Sequence, residues 1–217
     1  MDYTVKKVWS PLLRLYHWTF AISIGTLVVT GLYIHEPWTN STLFGTGKFT
    51  MALFREIHFS AGFALMAAFI ARVYLLIFGN REERILSFAP VTPANIRNFF
   101  STIGYYLYFG KKEHRPGHNA FAGTFYLLTL FLALGQILSG LYLMYPENLS
   151  IQGMGLALFG TQQEARFIHH LIMWYFMLFA LVHVYIVIWN DIMDPEGLVS
   201  SIFTGRKFFE KKAGPSA

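Results

Sequence analysis

The sequence predicts an all-α integral membrane protein, a bundle of four transmembrane helices with a short interfacial helix on one side. Two observations carry this. Of 217 residues, 54% are hydrophobic and 13% charged, against about 25% charged in an ordinary soluble domain, and the mean hydropathy is +0.42. The charges are also segregated: they fall between four apolar stretches, each near the roughly 20 residues that cross a bilayer. The length suits one domain spanning 1–217.

The N-terminal arm carries Lys6, Lys7 and Arg14 and leads directly into an apolar span without a small-residue cleavage site, so no cleaved signal is expected. The first span covers about 17–35. The second covers about 51–78 and holds Arg72 near its end, where a long cationic side chain can snorkel to the interface. The connection that follows contains "VTPANIRNFFSTIGYYLYFG". Thr92 fits a helix cap, Pro93 a first helical position, and the aromatic pattern beyond them an amphipathic helix lying on the membrane surface. The third span covers about 118–145 within an uncharged stretch, and the fourth about 166–190. "NDIMDPEG", at 190–197, reads as a helix end stopped by Pro195 and Gly197.

Basic residues are concentrated in the N-terminal arm, in the second connection (Arg81, Arg84, Arg97, Lys111, Lys112, Arg115) and in the tail (Arg206, Lys207, Lys211, Lys212). The first connection has Lys48 and Arg55, and the third has Arg166 beside Glu147 and Glu164. The positive-inside rule then places the chain in the cytoplasmic (inner) membrane with both termini in the cytoplasm. A formal net charge of +5 does not indicate nucleic acid, because the cations sit in the gaps between spans.

The chain has no cysteine and eight histidines. Without cysteine there are no disulfides, Cys-held iron–sulfur clusters or thiolate haem ligands. Imidazoles inside membrane spans are costly and point to function. Helical geometry sorts them. At about 100° per residue, His169 and His183 share a face to within about 40°, whereas His170 lies about 140° from His183. A rise of about 1.5 Å per residue separates His169 from His183 by about 21 Å, too far for one metal ion and suited to two stacked sites. Alternating span direction places His58 and His169 at the outer level and His17 and His183 at the inner level. One imidazole from each of two helices at each level is the axial ligation of a low-spin b-type haem, and two levels give two haem b groups. Zinc would require three or four ligands drawn also from Cys, Asp or Glu, and the spans are expected to offer no carboxylate; a proton or cation transporter would want one as well.

Other residues extend this reading. Arg14 lies three residues before His17 and Arg166 three before His169, each on its histidine's side of the helix and placed to pair with a haem propionate; both also suit plain interfacial positions. Ser60, Gly62 and Ala180 are small residues near the histidines that suit close approach of a macrocycle or simple helix packing. His118 and Asn119, opening the third span, suit hydrogen bonding to a quinone or proton relay; helix capping is the plainer role, and for His114 the favoured one. His35 and His170 read as structural or interfacial.

Two segments carry a resemblance. "RLYHWTFAISIGTLVVTG", Arg14 to Gly31, and "RFIHHLIMWYFMLFALVH", Arg166 to His183, resemble the two motifs of the cytochrome b subunit of membrane-bound nickel–iron hydrogenases. The likeness extends over all four spans; the second motif is long and specific, the first shared more loosely with related di-haem cytochromes. The chain departs at Thr19, where the family prefers an aliphatic residue, and at Phe167, where it prefers a small one. The resemblance implies a subunit that anchors a periplasmic hydrogenase, composed of a large nickel–iron and a small iron–sulfur subunit. It implies electron passage through an outer haem on His58 and His169 and an inner haem on His17 and His183 to a membrane quinone near the inner haem. The same module also serves formate dehydrogenases and thiosulfate reductases, and stand-alone cytochrome b561-like quinol oxidoreductases are built similarly. A channel or haem-free anchor is the alternative from another class.

Overall fold

A computed structural model describes residues 3–38, 49–110, 117–193 and 197–210. The element order is β1 (Tyr3–Lys7), α1 (Pro11–His35), α2 (Thr50–Phe78), α3 (Ile85–Phe88), α4 (Pro93–Tyr106), α5 (Ala120–Met144), α6 (Leu149–Phe159), α7 (Gln162–Met193), α8 (Leu198–Thr204) and β2 (Arg206–Glu210). Four of these, α1, α2, α5 and α7, have the length and hydropathy to cross a membrane, within a few residues of the expected bounds. Large apolar side chains lie exposed along them, among them Ile22, Phe131 and Leu181, as expected of helices solvated by lipid rather than water.

The chain forms two compact units, and each takes segments from all four long helices. The first unit holds residues 1–15, 71–129 and 180–217. Here β1 and β2 pair antiparallel, Tyr3 opposite Glu210 and Lys7 opposite Arg206, joining the N-terminal arm to the C-terminal tail. The backbone N–H groups of Val8 and Trp9 both donate to the Gly205 carbonyl, at 2.8 and 3.2 Å. Gly205 ends α8 with φ of 78°, and a Cβ there would stand 2.7 Å from the Trp9 carbonyl oxygen; only glycine meets both demands.

A polar knot is buried in this unit. Glu83 is 1% exposed. Its carboxylate accepts from the Ser10 N–H at 2.7 Å and the Asn80 N–H at 3.1 Å. Ser10 in turn caps α1, its hydroxyl accepting from the Leu13 N–H. Arg72 donates to the Glu83 carbonyl oxygen at 3.1 Å and lies over the Phe88 ring. Arg72 is therefore buried, at 7% exposure, and does not snorkel as the sequence suggested. The connection after α2 folds back to give the guanidinium a carbonyl and a ring face, which outweighs solvent contact. The amphipathic helix of the second connection is present as α4: the Thr92 hydroxyl accepts from the Asn95 N–H and Pro93 follows at the first position. Asn98, almost fully buried, accepts from the Ala120 N–H at 2.9 Å and so fixes where α5 begins. Gly197, expected as a stop for α7, instead precedes α8 in left-handed conformation. Pro195 and His114 lie outside the described residues.

The second unit holds residues 16–70 and 130–179. Its core joins Phe20, Leu65, Ala68, Ala133 and Phe176, one or two residues from each long helix. The third connection contains α6, an apolar helix of 11 residues, too short to span. It is capped by Asn148, whose side chain accepts from the Ile151 N–H, and pinned by Gln152 donating to the Tyr142 carbonyl. Gly155 packs against Tyr142 so tightly that a Cβ would fall 2.1 Å from its ring. Gly155→Ala is therefore expected to lower the apparent melting temperature of the detergent-purified protein, at a cost of about 1–3 kcal/mol for forced overpacking. An unchanged melting curve would contradict this packing of α6.

Candidate functional site

The second unit brings together the two histidines expected at the outer level. His58, from α2, and His169, from α7, face each other with ring centroids 6.4 Å apart and planes inclined by 54°. Metal–imidazole bonds of about 2 Å, with each nitrogen about 1 Å from its ring centre, span about 6 Å between ring centres. The observed separation thus admits one metal ion between the rings. Each ring is held from behind by a third and a fourth helix. The Thr30 hydroxyl of α1 lies 2.8 Å from His58 Nδ1, and the Ser139 hydroxyl of α5 lies 2.8 Å from His169 Nδ1. With Nδ1 engaged, Nε2 is the nitrogen each ring has for a ligand.

Glycine follows the hydroxyl residue in both cases. A Cβ on Gly31 would lie 3.4 Å from His58 Cε1, and one on Gly140 would lie 3.4 Å from His169 Cε1. The bare backbone at these two positions lets each ring rest against its supporting helix. Residues and spacing here fit a haem held between two imidazoles: two opposed nitrogen donors, oriented by hydroxyls, in an apolar bundle.

His170 turns away, as its phase requires. Its ring lies 4.5 Å from that of His35, and its Nε2 accepts from Trp174 Nε1 at 3.1 Å. The two histidines read as structural or interfacial thus contact each other.

His17 belongs to the second unit, its ring edge-on to Trp18. His183 belongs to the first, its ring edge-on to Tyr126 with centroids 6.0 Å apart. Tyr126 also meets His118 at 4.6 Å; His118 stacks on Trp9 at 4.7 Å and meets Phe88 edge-on. His118 therefore sits in an aromatic enclosure one ring removed from His183. Asn119 caps α5, its Oδ1 accepting from the Ala122 N–H at 2.7 Å, the plainer of its two expected roles. Arg14 donates to the Phe203 carbonyl at the end of α8, while its Nε is buried and finds no hydrogen-bond partner among the described residues. Arg166 is exposed and donates to Gln163 at 3.4 Å.

Two findings were not anticipated. Thr30, Gly31, Ser139 and Gly140 were unassigned; their signal is a hydroxyl–glycine dipeptide inside an apolar span, present once in α1 and once in α5. Glu56 lies within α2, whereas the spans were expected to carry no carboxylate. It is exposed near the helix start and lines a cleft of about 530 Å³ with Ser23, Thr26 and Ser60. Among the described residues no group of three or more His, Cys, Asp or Glu is arranged to hold a metal ion.

Four membrane-length helices, two of which, α2 and α7, turn imidazoles toward one another, define a polytopic helical membrane protein equipped for a metal-centred cofactor. The chain belongs to the prokaryotic cytochrome b561 family, whose model matches residues 8–205, and is accordingly a membrane cytochrome of b type. It is 31% identical to a probable Ni/Fe-hydrogenase B-type cytochrome subunit of Azotobacter vinelandii, over 95% of this chain and 90% of that one. It is likewise 31% identical to the corresponding protein of Cupriavidus necator, over 94% and 87%. It is 27% identical to the probable Ni/Fe-hydrogenase 1 B-type cytochrome subunit of Escherichia coli, over 88% and 86%.

Proposed function

We propose that the chain is a single di-haem domain over residues 1–217 that anchors a periplasmic nickel–iron hydrogenase and passes its electrons to membrane quinone. Its partners are the hydrogenase's iron–sulfur small subunit and nickel–iron large subunit, and it lies in the cytoplasmic membrane with both termini in the cytoplasm. The observation that carries this reading is the opposed pair His58 and His169, each with Nδ1 engaged from behind. The relatives' names support the hydrogenase over the formate dehydrogenase or thiosulfate reductase setting.

When bound, the two haems supply one-electron carriage between the two membrane levels. The chain's residues hold and tune them. His58 and His169 ligate the outer haem; His17 and His183 ligate the inner one. Arg14, whose Nε is buried and finds no hydrogen-bond partner among the described residues, would pair with a haem propionate, as would the exposed Arg166 at the surface. His118, enclosed by Trp9, Phe88 and Tyr126, hydrogen-bonds the quinone. Asn119 has only its amide nitrogen to offer there, since its oxygen is engaged in the cap. The α4 helix, with Ile96 and Phe100 exposed, lies on the cytoplasmic membrane surface.

The purified chain is expected to show a b-type α-band in its reduced-minus-oxidised spectrum and two haems per polypeptide by pyridine haemochrome assay. Membranes containing it are expected to reduce quinone with hydrogen. Fewer than two haems, or unimpaired hydrogen-driven quinone reduction in membranes lacking the chain, would refute the proposal. A co-purifying nickel–iron large subunit separates a hydrogenase from any other dehydrogenase.

A further inference from the structure

We infer that Thr30 and Ser139 are positioning residues for the outer haem, each accepting Nδ1–H from a ligand histidine and thereby presenting its Nε2 unprotonated and electron-rich. The inference rests on the assignment of His58 and His169 as ligands. It follows from counting protons. A hydroxyl has one hydrogen to donate. Thr30 gives it to the Thr26 carbonyl, 2.7 Å away on its own helix. Ser139 gives it to the Gln136 carbonyl at 3.2 Å. Each oxygen is then left as an acceptor toward the imidazole 2.8 Å away. Nδ1 must therefore carry the ring proton, and Nε2 keeps its lone pair.

The two supports are built alike. In both, a helix that contributes no ligand at this level supplies a hydroxyl for Nδ1 and, at the next residue, a glycine against Cε1. The hydroxyl fixes the tautomer and the glycine fixes how closely the ring approaches the supporting helix. A hydrogen bond from the remote nitrogen raises the basicity of a ligating imidazole, which favours the oxidised iron and lowers its reduction potential. The α1 support is the firmer of the two. Both hydroxyl residues are buried, but the backbone-directed bond of Thr30 is the shorter, and β-branching restricts its rotamers in a helix.

The test uses the full-length haem-loaded protein in detergent, with redox titration and low-temperature electron paramagnetic resonance. Thr30→Val keeps the side chain's shape and removes the acceptor. It is expected to raise the midpoint potential of one haem by about 59 mV, equivalent to a tenfold change in its one-electron equilibrium, to shift that haem's low-spin signal, and to leave the other haem unmoved. Thr30→Ser, which restores the hydroxyl, is expected to titrate like the parent. Ser139→Ala is expected to move the same haem in the same direction by less. If Thr30→Val instead loses one haem while Thr30→Ser retains both, the hydroxyl is again the cause. Unchanged potential and signal in a fully loaded Thr30→Val protein would overturn the inference, as would equal loss of haem in the Val and Ser variants. His58→Ala discriminates the underlying reading: retention of both haems there would refute the ligand assignment itself, independently of the hydroxyls.

Discussion

Replacing His169 with Ala is expected to remove one haem from the protein, whereas replacing its neighbour His170 with Ala is expected to leave both. Adjacent imidazoles on one helix differ here only in phase. His169 projects toward His58 and is backed by Ser139 and Gly140. His170, about 100° further round the helix, lies against His35 and takes a hydrogen bond from Trp174 through Nε2, the nitrogen a ligand would need. The haem-to-polypeptide ratio by pyridine haemochrome assay checks both variants, and it should halve only in the first. His58→Ala should match His169→Ala, since an iron that loses either axial imidazole at this level loses the ligation that holds it. The reverse pattern, with haem lost on replacing His170 and kept on replacing His169, would mean that α7 presents the opposite face.

The different phases of His169 and His170 are legible in the sequence, because they depend only on residue spacing and on the 3.6-residue turn. The spans were legible for a similar reason: composition and length decide them, and Thr92-Pro93 announced α4. What stayed hidden depends on contacts between elements distant in sequence. Glu83 reads as one more surface acid in "NREER" until Ser10, 73 positions earlier, is seen to donate to it. The pairing of β1 with β2 joins segments some 200 residues apart and leaves no local mark. Thr30-Gly31 closes the first family motif, yet nothing in the spacing says that the pair supports a ring on α2. Arg72 misled because its position near a helix end favours snorkelling, and only the returning connection supplies the carbonyl and ring that bury it. Glu56 lies inside the expected span of 51–78 and in the second turn of α2, so the expectation of carboxylate-free spans fails on the sequence itself.

Glu83→Ala is expected to be the most damaging substitution outside the histidines. The carboxylate is 1% exposed and holds two backbone N–H groups that begin or end structure: Ser10, which caps α1, and Asn80, just past the end of α2. Removing it leaves two part-buried donors without this acceptor, at up to about 1–3 kcal/mol each. It also takes a negative charge from a unit in which Arg72 and Lys207 are both buried cations. At about 2–4 °C per kcal/mol for a chain of this size, the apparent melting temperature in detergent should fall by about 10 °C, well beyond the shift for Gly155→Ala. Glu83→Gln, which keeps one acceptor oxygen but not the charge, should fall between the parent and the alanine variant. Glu36→Ala, at an exposed position, serves as the control; a Glu83→Ala protein no less stable than that control would show that Ser10 and Asn80 are held by something other than this carboxylate.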